Sequence, residues 1–342
     1  MRRPTIADIA RRAGVSKGAV SYALNDRPGV SPHTRQRILA IAEEIGWRPN
    51  SAARALSGAA ANAIGLAIHR PARILGIEPF FMELVSGMEA VLSAAGSALM
   101  LQVVADAETE LALYRRWWAE RRIDGAIVTD LRAEDPRVGL LEQLALPAVI
   151  VGGPTGVGSL PHVWADDAVT VTETVGYLVA LGHKRIGRVA GLPDLLHTRH
   201  RDAAFRAAGT TYAVDTSLVI STDYTGDEGA HATRAMLSTA ARPTAIIYDN
   251  DIMAVAGLSV AHEMGLVVPR DLSIVGWDDS PLCQVVRPPL TAMTRDIPAY
   301  GARAAELLLD VIAGTTGKAL GVEVSHSRLT PRGSTAPPSL SG

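Results

Sequence analysis

Apolar residues in the first 46 positions recur at helical spacing. Ile6, Ile9, Ala10 and Ala13 follow Thr5, with Asp8 placed as in a capping box whose acid is one carbon short, and Gly14 closes the run. Ser16 is placed to cap a second helix through "KGAVSYALN", with Val20, Ala23 and Leu24 on its inner face. Ser31 and Pro32 open a third, with Ile38, Ile41, Ala42 and Ile45 inward and Gly46 at its end. Two short helices joined at Ala-Gly-Val and braced by a third predict a helix-turn-helix unit, or another small helical binding module. On the second helix Lys17 and Ser21, and Gly18 and Tyr22, are each four apart and face away from Val20 and Leu24. Such a face fits a major groove.

Beyond residue 61 the pattern changes. The β-rich runs "AIGLAIH", "ALMLQVV", "GAIVT" and "PAVIVGG" alternate with helical patterns around residues 81–95 and through "ETELALYRRWWAERR". A second series starts near Pro161 with "HVWADD", then "RIGRVAG", "SLVIS", "AIIYDND" and "SIVGWDD", again separated by helical patterns. A last helix near 298–313 and a strand within "VEVSHSRL" complete it. This alternation predicts parallel sheets covered by helices, and two series predict two similar lobes.

Between the two regions lies "PNSAARALSG", residues 49–58. Its alanines favour a helix that Asn50 or Ser51 could cap, but about two turns are marginal alone in water.

The chain has 342 residues and a formal net charge of −2, yet the charge is unevenly placed. Residues 1–58 carry ten Lys or Arg against four Asp or Glu, and the remainder carries 23 against 31. A basic head on an acidic body points to a polyanion as the head's partner. Cys283 is the only cysteine, so no intrachain disulfide forms, which fits a reducing, cytoplasmic setting. No apolar run approaches a membrane span, and "MRRPTIADIA" lacks the apolar stretch of a secretion signal.

In open parallel sheets, ligands bind at the carboxyl ends of strands. Asp166, Asn250 and Asp278 follow strand patterns directly, and Arg201 lies in the helix after "RIGRVAG". Carboxylates, an amide and a guanidinium around one cleft suit a ligand rich in hydroxyl groups. Each has a plainer alternative: Asp278 and Asp279 as loop caps, Arg201 as a solvated helix face. Trp117 and Trp118, at helical spacing with Leu111 and Tyr114, read as core. His197 and His200 have H-x-x-H spacing, but they lie beside two arginines on a turn entering a helix, which argues against a metal.

"TIADIARRAGVSKGAVSYALN", "VSPHTRQRILAIAEEIGWRPN" and "SAARALSG" resemble the DNA-binding head of the LacI/GalR family of bacterial transcription regulators. The resemblance continues through "YLVALGHKRIGRVAG", "NDIMAVAGL", "VPRDLSIVGWDDS" and "PPLTAMTRD", and so spans almost the whole chain. It implies an N-terminal all-α helix-turn-helix head at 1–48, a hinge helix or linker at 49–60, and an α/β body at 61–335 of two similar parallel-sheet lobes, like a periplasmic binding protein. Lobe 1 is expected at about 61–161 and 294–322, lobe 2 at about 162–293 and 323–335, and a flexible tail at 336–342.

By the same resemblance Lys17, Gly18 and Tyr22 match positions that face base edges. Thr5, Ser16, Ser21 and Asn25 match positions near phosphates or bases. Tyr22 stands where arginine is frequent, which removes a bidentate guanine reader, and Gly18 has no side chain to read with. In the hinge, Leu56 matches a leucine that wedges into the minor groove, with Arg54 and Asn50 near phosphate or groove edges. The alternative is a linker helix with Leu56 packed on the body. Arg201, Asn250 and Asp278 match effector-binding positions, and Tyr224 matches an aromatic that stacks on ligand. Phe80 and Phe81 match aromatics flanking the cleft, or core residues. Asp166-Asp167 stands where Asp-Asn is usual, and Thr170 replaces a glycine.

The implied function is a homodimeric repressor of pseudo-palindromic operator DNA, switched by a small sugar-like effector, with no cofactor, metal or membrane. A nicotinamide enzyme is disfavoured: "GGPTGVG" does not satisfy G-x-G-x-x-G, and no phosphate-loop motif occurs. A secreted sugar-binding protein would fit the body but not the basic head.

Overall fold

A computed structural model describes residues 4–47, 60–70, 75–315, 321–324 and 326–339. The expected hinge residues Asn50, Arg54 and Leu56 lie outside the described residues. The chain divides into two compact units, residues 1–61 and 62–342.

In the first unit, α1 (Ile6–Ala13), α2 (Lys17–Leu24) and α3 (Pro32–Glu44) close on Ile9, Val20 and Ile38, none of which reaches solvent. The caps are those the sequence supplies. The Thr5 N–H and hydroxyl both donate to Asp8, Ser16 Oγ accepts from Ala19 N at 3.1 Å, and Ser31 Oγ accepts from Thr34 N at 3.2 Å. Gly14 ends α1 at φ +63°, a left-handed turn open to glycine without strain.

The second unit contains two six-stranded sheets. The first collects β1 (Ala63–Ile68), β2 (Ala98–Val103), β3 (Gly125–Val128), β4 (Ala148–Val151), β5 (His162–Trp164) and β11 (Gly321–Glu323), in the order β11-β5-β4-β3-β1-β2, all parallel. The second collects β6 (Ile186–Ala190), β7 (Val219–Ser221), β8 (Ala245–Tyr248), β9 (Ser273–Gly276), β10 (Thr291–Thr294) and β12 (Arg328–Thr330), in the order β12-β10-β9-β8-β6-β7. Only β12 runs antiparallel. The central strands β1, β3, β4, β6, β8 and β9 are buried throughout, as helices on both faces require.

The helices of this unit are α4 (Pro79–Ala94), α5 (Ala107–Ala119), α6 (Pro136–Leu144), α7 (Asp167–Ala180), α8 (Leu196–Tyr212), α9 (Gly226–Leu237), α10 (Asp251–Glu263), α11 (Pro281–Val285) and α12 (Ile297–Ala313). The sequence pattern does not separate α6 from its flanks, because Arg137 is buried on it among the apolar residues. On α5, Tyr114 and Trp117 are fully buried, but Trp118 is 48% exposed, so only one of the two tryptophans is core.

Three expectations need correction. "HVWADD" does not start the second lobe: His162–Trp164 hydrogen-bonds between β4 and β11 in the first sheet, and the crossover falls after Trp164. The single strand expected in "VEVSHSRL" is two, β11 in one sheet and β12 in the other, so this stretch is a further crossing between lobes. Residues 336–339, the described part of the tail expected at 336–342, are tied to the body, as is the stretch before them. Ser334 Oγ donates to Ile274 O at 2.6 Å and accepts from Thr291 N at 2.8 Å, and Ser339 Oγ donates to Arg270 O at 2.8 Å.

Lobe 1 depends on close contact between α4 and α12. A Cβ on Gly301 would lie 2.1 Å from Leu84 O, and one on Gly87 would lie 1.9 Å from Pro298 O. Backbone cannot yield as a flexible side chain does. Gly301→Ala is therefore expected to destabilise the body by about 1–3 kcal/mol through overpacking. Chemical denaturation should show it, and an unchanged midpoint would mean that the helices separate freely.

Candidate functional site

On the head, α2 presents Lys17, Gly18 and Tyr22 to solvent, Tyr22 with 46% of its surface, while Val20 and Ala23 are buried. Ser16 and Asn25 flank this face at the ends of the helix. Ser16 is engaged as cap, and Asn25 Nδ2 donates to Ser21 O at 2.8 Å. Ser21 is half-buried, and the Thr5 hydroxyl is already held by Asp8. Lys17 and Tyr22 therefore offer the freest polar groups of this face.

In the body, a cavity of about 640 Å³ lies where the strand ends of both sheets meet. From the first sheet come Arg70 after β1, Asp130 after β3, Gly152–Thr155 after β4 and Trp164–Asp167 after β5. From the second come His197 and Arg201 after β6, Tyr224 after β7, Asp249 after β8, Asp278 after β9 and Arg295 after β10. Glu78 and Phe80 are supplied by the start of α4.

Three ion pairs stand in the wall. Arg70 Nε donates to Asp130 Oδ2 at 2.8 Å, Arg201 Nε donates to Asp167 Oδ2 at 2.6 Å, and Arg295 Nη2 lies 2.5 Å from Asp278 Oδ1. Burial works against the charges of Asp130 and Asp167, but chiefly Arg70 and Arg201 outweigh it, and both carboxyls stay below their ordinary range. Aromatic faces lie beside the same cations: Arg201 over Trp277 at 4.0 Å, Arg70 over Tyr224 at 4.5 Å, Arg295 over Phe80 at 5.0 Å.

Tyr224 Oη is shared with His197 Nε2 at 2.7 Å and Thr198 Oγ1 at 3.2 Å. Burial and the neighbouring Arg201 push the His197 pKa down to about 4, so the ring is neutral near pH 7. Glu78 is 7% exposed, and burial lifts its carboxyl to about 7 against the pull of Arg70 and Asn250. Arg70 Nη1, Glu78 Oε2 and Arg295 Nε are buried with no hydrogen-bond partner among the described residues. Asp130, Tyr224 and Asp278 hold φ of +53°, +70° and +70°, uncommon for residues with a Cβ and concentrated where ligand sites keep such geometry. Gly191 makes room for the Tyr224 ring, since a Cβ there would lie 1.9 Å from Tyr224 Cζ.

The lobes touch across the cleft. Asn250 Nδ2 of lobe 2 donates to Glu78 Oε1 of lobe 1 at 3.2 Å. Leu196 N donates to Leu131 O at 2.8 Å, and Ala133 N to Asp194 O at 3.1 Å. The two lobes of the body are thus in contact beside the cavity.

Of the residues read from sequence, Phe80, Phe81, Asp166, Arg201, Tyr224 and Asp278 line the cavity. Phe81 does so while buried in the lobe 1 core, edge-on to Phe80 with ring centroids 5.3 Å apart. Asn250 is not among the lining residues. Its Oδ1 caps Met253 N at 2.9 Å and its Nδ2 is held by Glu78 and Tyr224 O, so it braces the wall rather than facing the space. Asp166 Oδ1 is turned onto the N-terminus of α7, accepting from Ala168 N and Val169 N, and the neighbouring Asp167 meets Arg201. Arg70, Glu78, Asp130 and Arg295 escaped the sequence reading, and Asp167 entered it only as the second member of the Asp166-Asp167 pair. Asp130, after "GAIVT", and Arg70, after "AIGLAIH", carried the same strand-end signal as Asp278.

Residues 5–50 match the family model for bacterial regulatory proteins of the lacI family, and residues 175–335 match that for a periplasmic binding protein-like domain. The HTH-type transcriptional regulator CelR of Thermobifida fusca is 32% identical over 321 residues, 92% of this chain and 94% of that protein. Catabolite control protein A of Priestia megaterium is 30% identical over 326 residues, covering 94% and 96%. Among solved structures, a CelR–cellobiose complex is 29% identical with a TM-score of 0.75, covering 97% of this chain and all of that one. The lac repressor dimer bound to operator and the anti-inducer ONPF is 25% identical with a TM-score of 0.84, covering 98% of this chain and all of that one.

Proposed function

This chain belongs to the LacI family of bacterial regulatory proteins, and from that premise we propose that it is a homodimeric transcriptional repressor whose operator affinity is set by a sugar-like effector held in the body's cleft. The observation that carries this reading is the cavity wall. Buried donors and acceptors alternate around it beside aromatic faces, as the hydroxyls and apolar faces of a sugar require. Arg201, Asp278, Asp167, Arg70 and Glu78 bind hydroxyls, Phe80 and Tyr224 lie against the ring, Asp166 contributes an edge, and Asn250 positions Glu78. An effector that prefers the closed body shifts the equilibrium between lobe arrangements by its differential affinity.

On the DNA side, Lys17 and Tyr22 read base edges beside Gly18. Thr5, Ser16, Ser21 and Asn25 lie near the backbone, and Asn50, Arg54 and Leu56 contribute from the hinge. Regulation rather than catalysis is the activity, exercised in the cytoplasm. Among the described residues no helix is long and apolar enough to cross a membrane.

The test is a thermal-shift screen of sugars combined with operator binding over a salt series. A ligand that raises the melting temperature must also change operator affinity, and that affinity must fall steeply with salt. A sugar that binds without affecting DNA binding would defeat the proposal.

Tyr22→Arg is expected to redirect operator choice, since arginine can pair with guanine N7 and O6 for about 1–3 kcal/mol of discrimination. The change should appear in both half-sites after selection from random operators. Identical selected sequences would place residue 22 away from the bases.

A further inference from the structure

We propose that the cleft accepts only uncharged ligands, a neutral saccharide rather than a sugar phosphate or sugar acid, and that Glu78 with the three ion pairs of the wall is the device that rejects anions. The inference rests on the reading of the cavity as a sugar site and names the chemical class it takes.

Among the described residues, each arginine lining the cavity already holds a carboxylate: Arg70 with Asp130, Arg201 with Asp167, Arg295 with Asp278. Two lining carboxylates have their compensation elsewhere. Asp249 is paired with the fully buried Arg188 at 2.7 Å, and Asp166 caps α7. Glu78 remains. Its Oε1 accepts from the neutral amide of Asn250, and its Oε2 is buried with no partner.

An anionic site needs a cation, or a row of N–H groups, with charge to give. Here each guanidinium is neutralised by its own partner, so a phosphate entering the cavity meets Asp130, Asp167 and Asp278 as well as the arginines. It also meets Glu78, whose carboxyl, lifted to about 7 by burial, is part ionised near neutral pH and would have to hold its proton on Oε2 to face an acceptor-only group. Like charges brought together in a poorly solvated space are strongly unfavourable.

A hydroxyl meets no such conflict. One hydroxyl can accept from Arg70 Nη1 and another from Arg295 Nε, and either can donate to Glu78 Oε2, so that two hydroxyls satisfy all three groups. The histidines do not supply the missing positive charge through His197, which is neutral near pH 7.

The experiment is calorimetric titration of the full chain with matched pairs: glucose, galactose, mannose and xylose and their β-linked disaccharides, each against its phosphate or its acid. The neutral member of the binding pair is expected to bind at least ~10-fold more tightly than its anionic partner. Asp167→Asn and Asp130→Asn, each of which frees one guanidinium, should narrow that gap by about tenfold, and Glu78→Gln should narrow it without freeing a cation. Glu78→Gln keeps the shape of the side chain and serves if an aspartate variant does not fold. An anionic member that binds as tightly as its neutral partner overturns the inference and leaves the sugar-effector reading standing. A preference that persists unchanged in every folded variant overturns the assignment to these residues. If no member of any pair binds, the sugar-effector reading itself falls, and this inference with it.

Discussion

Arg201→Ala is expected to abolish the rise in melting temperature that the proposed effector produces, and to lower the stability of the ligand-free body by about 3–5 kcal/mol. Two effects are joined in one residue. The guanidinium is 4% exposed, donates to Asp167 at 2.6 Å and lies 4.0 Å over the Trp277 ring, so its removal leaves a buried carboxylate without its partner. It also removes a guanidinium from the wall of the cavity. The double variant Arg201→Met/Asp167→Leu separates the two. Replacing the whole buried pair by apolar groups is expected to restore most of the stability, while the ligand response stays absent. A double variant that regains the thermal shift would show that Arg201 serves the fold alone.

The second large effect concerns pH. Glu78 and Asp251, whose ordinary values are 4.5 and 3.8, are both held up to about 7, chiefly by burial and, for Asp251, by the neighbouring Asp278. The folded body keeps protons on these groups that the unfolded chain releases, so their contribution falls as pH rises from about 4 to about 7. His197 acts in the opposite sense. Its folded value of about 4 lies below the ordinary 6.5, so the unfolded chain takes up a proton that the folded body refuses, and stability falls as pH drops through that window. Buried His183, also displaced downward by burial, adds to the second slope.

Each strongly shifted group contributes on the order of 3 kcal/mol across its window. The wild-type profile between pH 4.5 and 6.5 is therefore expected to be shallow because two slopes oppose. Glu78→Gln/Asp251→Asn removes the falling one, and stability should then rise with pH by several kcal/mol. Calorimetric melting at pH 5 and pH 7 compares the two chains. Parallel profiles would mean that these acids are not protonated in the folded state.

The elements were legible where periodicity and capping agreed. Ser16 and Ser31 each mark a helix start, and the buried strands β1, β3, β4 and β8 are unbroken apolar runs, while β6 is interrupted by Arg188 and β9 opens on Ser273. What escaped was connectivity. His162–Trp164 has only three residues in its strand, and nothing local tells them which sheet will accept their hydrogen bonds. The site was half legible. Arg201 and Asp278 follow strands and stand out as charges beside apolar runs, whereas Glu78 precedes a helix and acquires its role from Asn250, 172 residues away. Asn250 itself looked like a ligand group because its place at a strand end is the same whether its amide faces the cavity or the wall behind it.

The crossing that the sequence pattern hid has a consequence for synthesis. Both sheets take an outer strand from a short late segment, β11 at 321–323 in one and β12 at 328–330 in the other, and Ser334 then joins β9 to the start of β10. On the ribosome, domains ordinarily fold as units in the order in which they emerge, at ~5–20 residues per second. The head can do so, since its core is closed by residue 47. The body cannot: lobe 1 lacks its last strand until residue 323 is made and lobe 2 until residue 330, although the other five strands of lobe 1 all precede residue 165. Its apolar strand ends wait through half the length of the chain, which makes the nascent body, more than the finished protein, a natural client for chaperones.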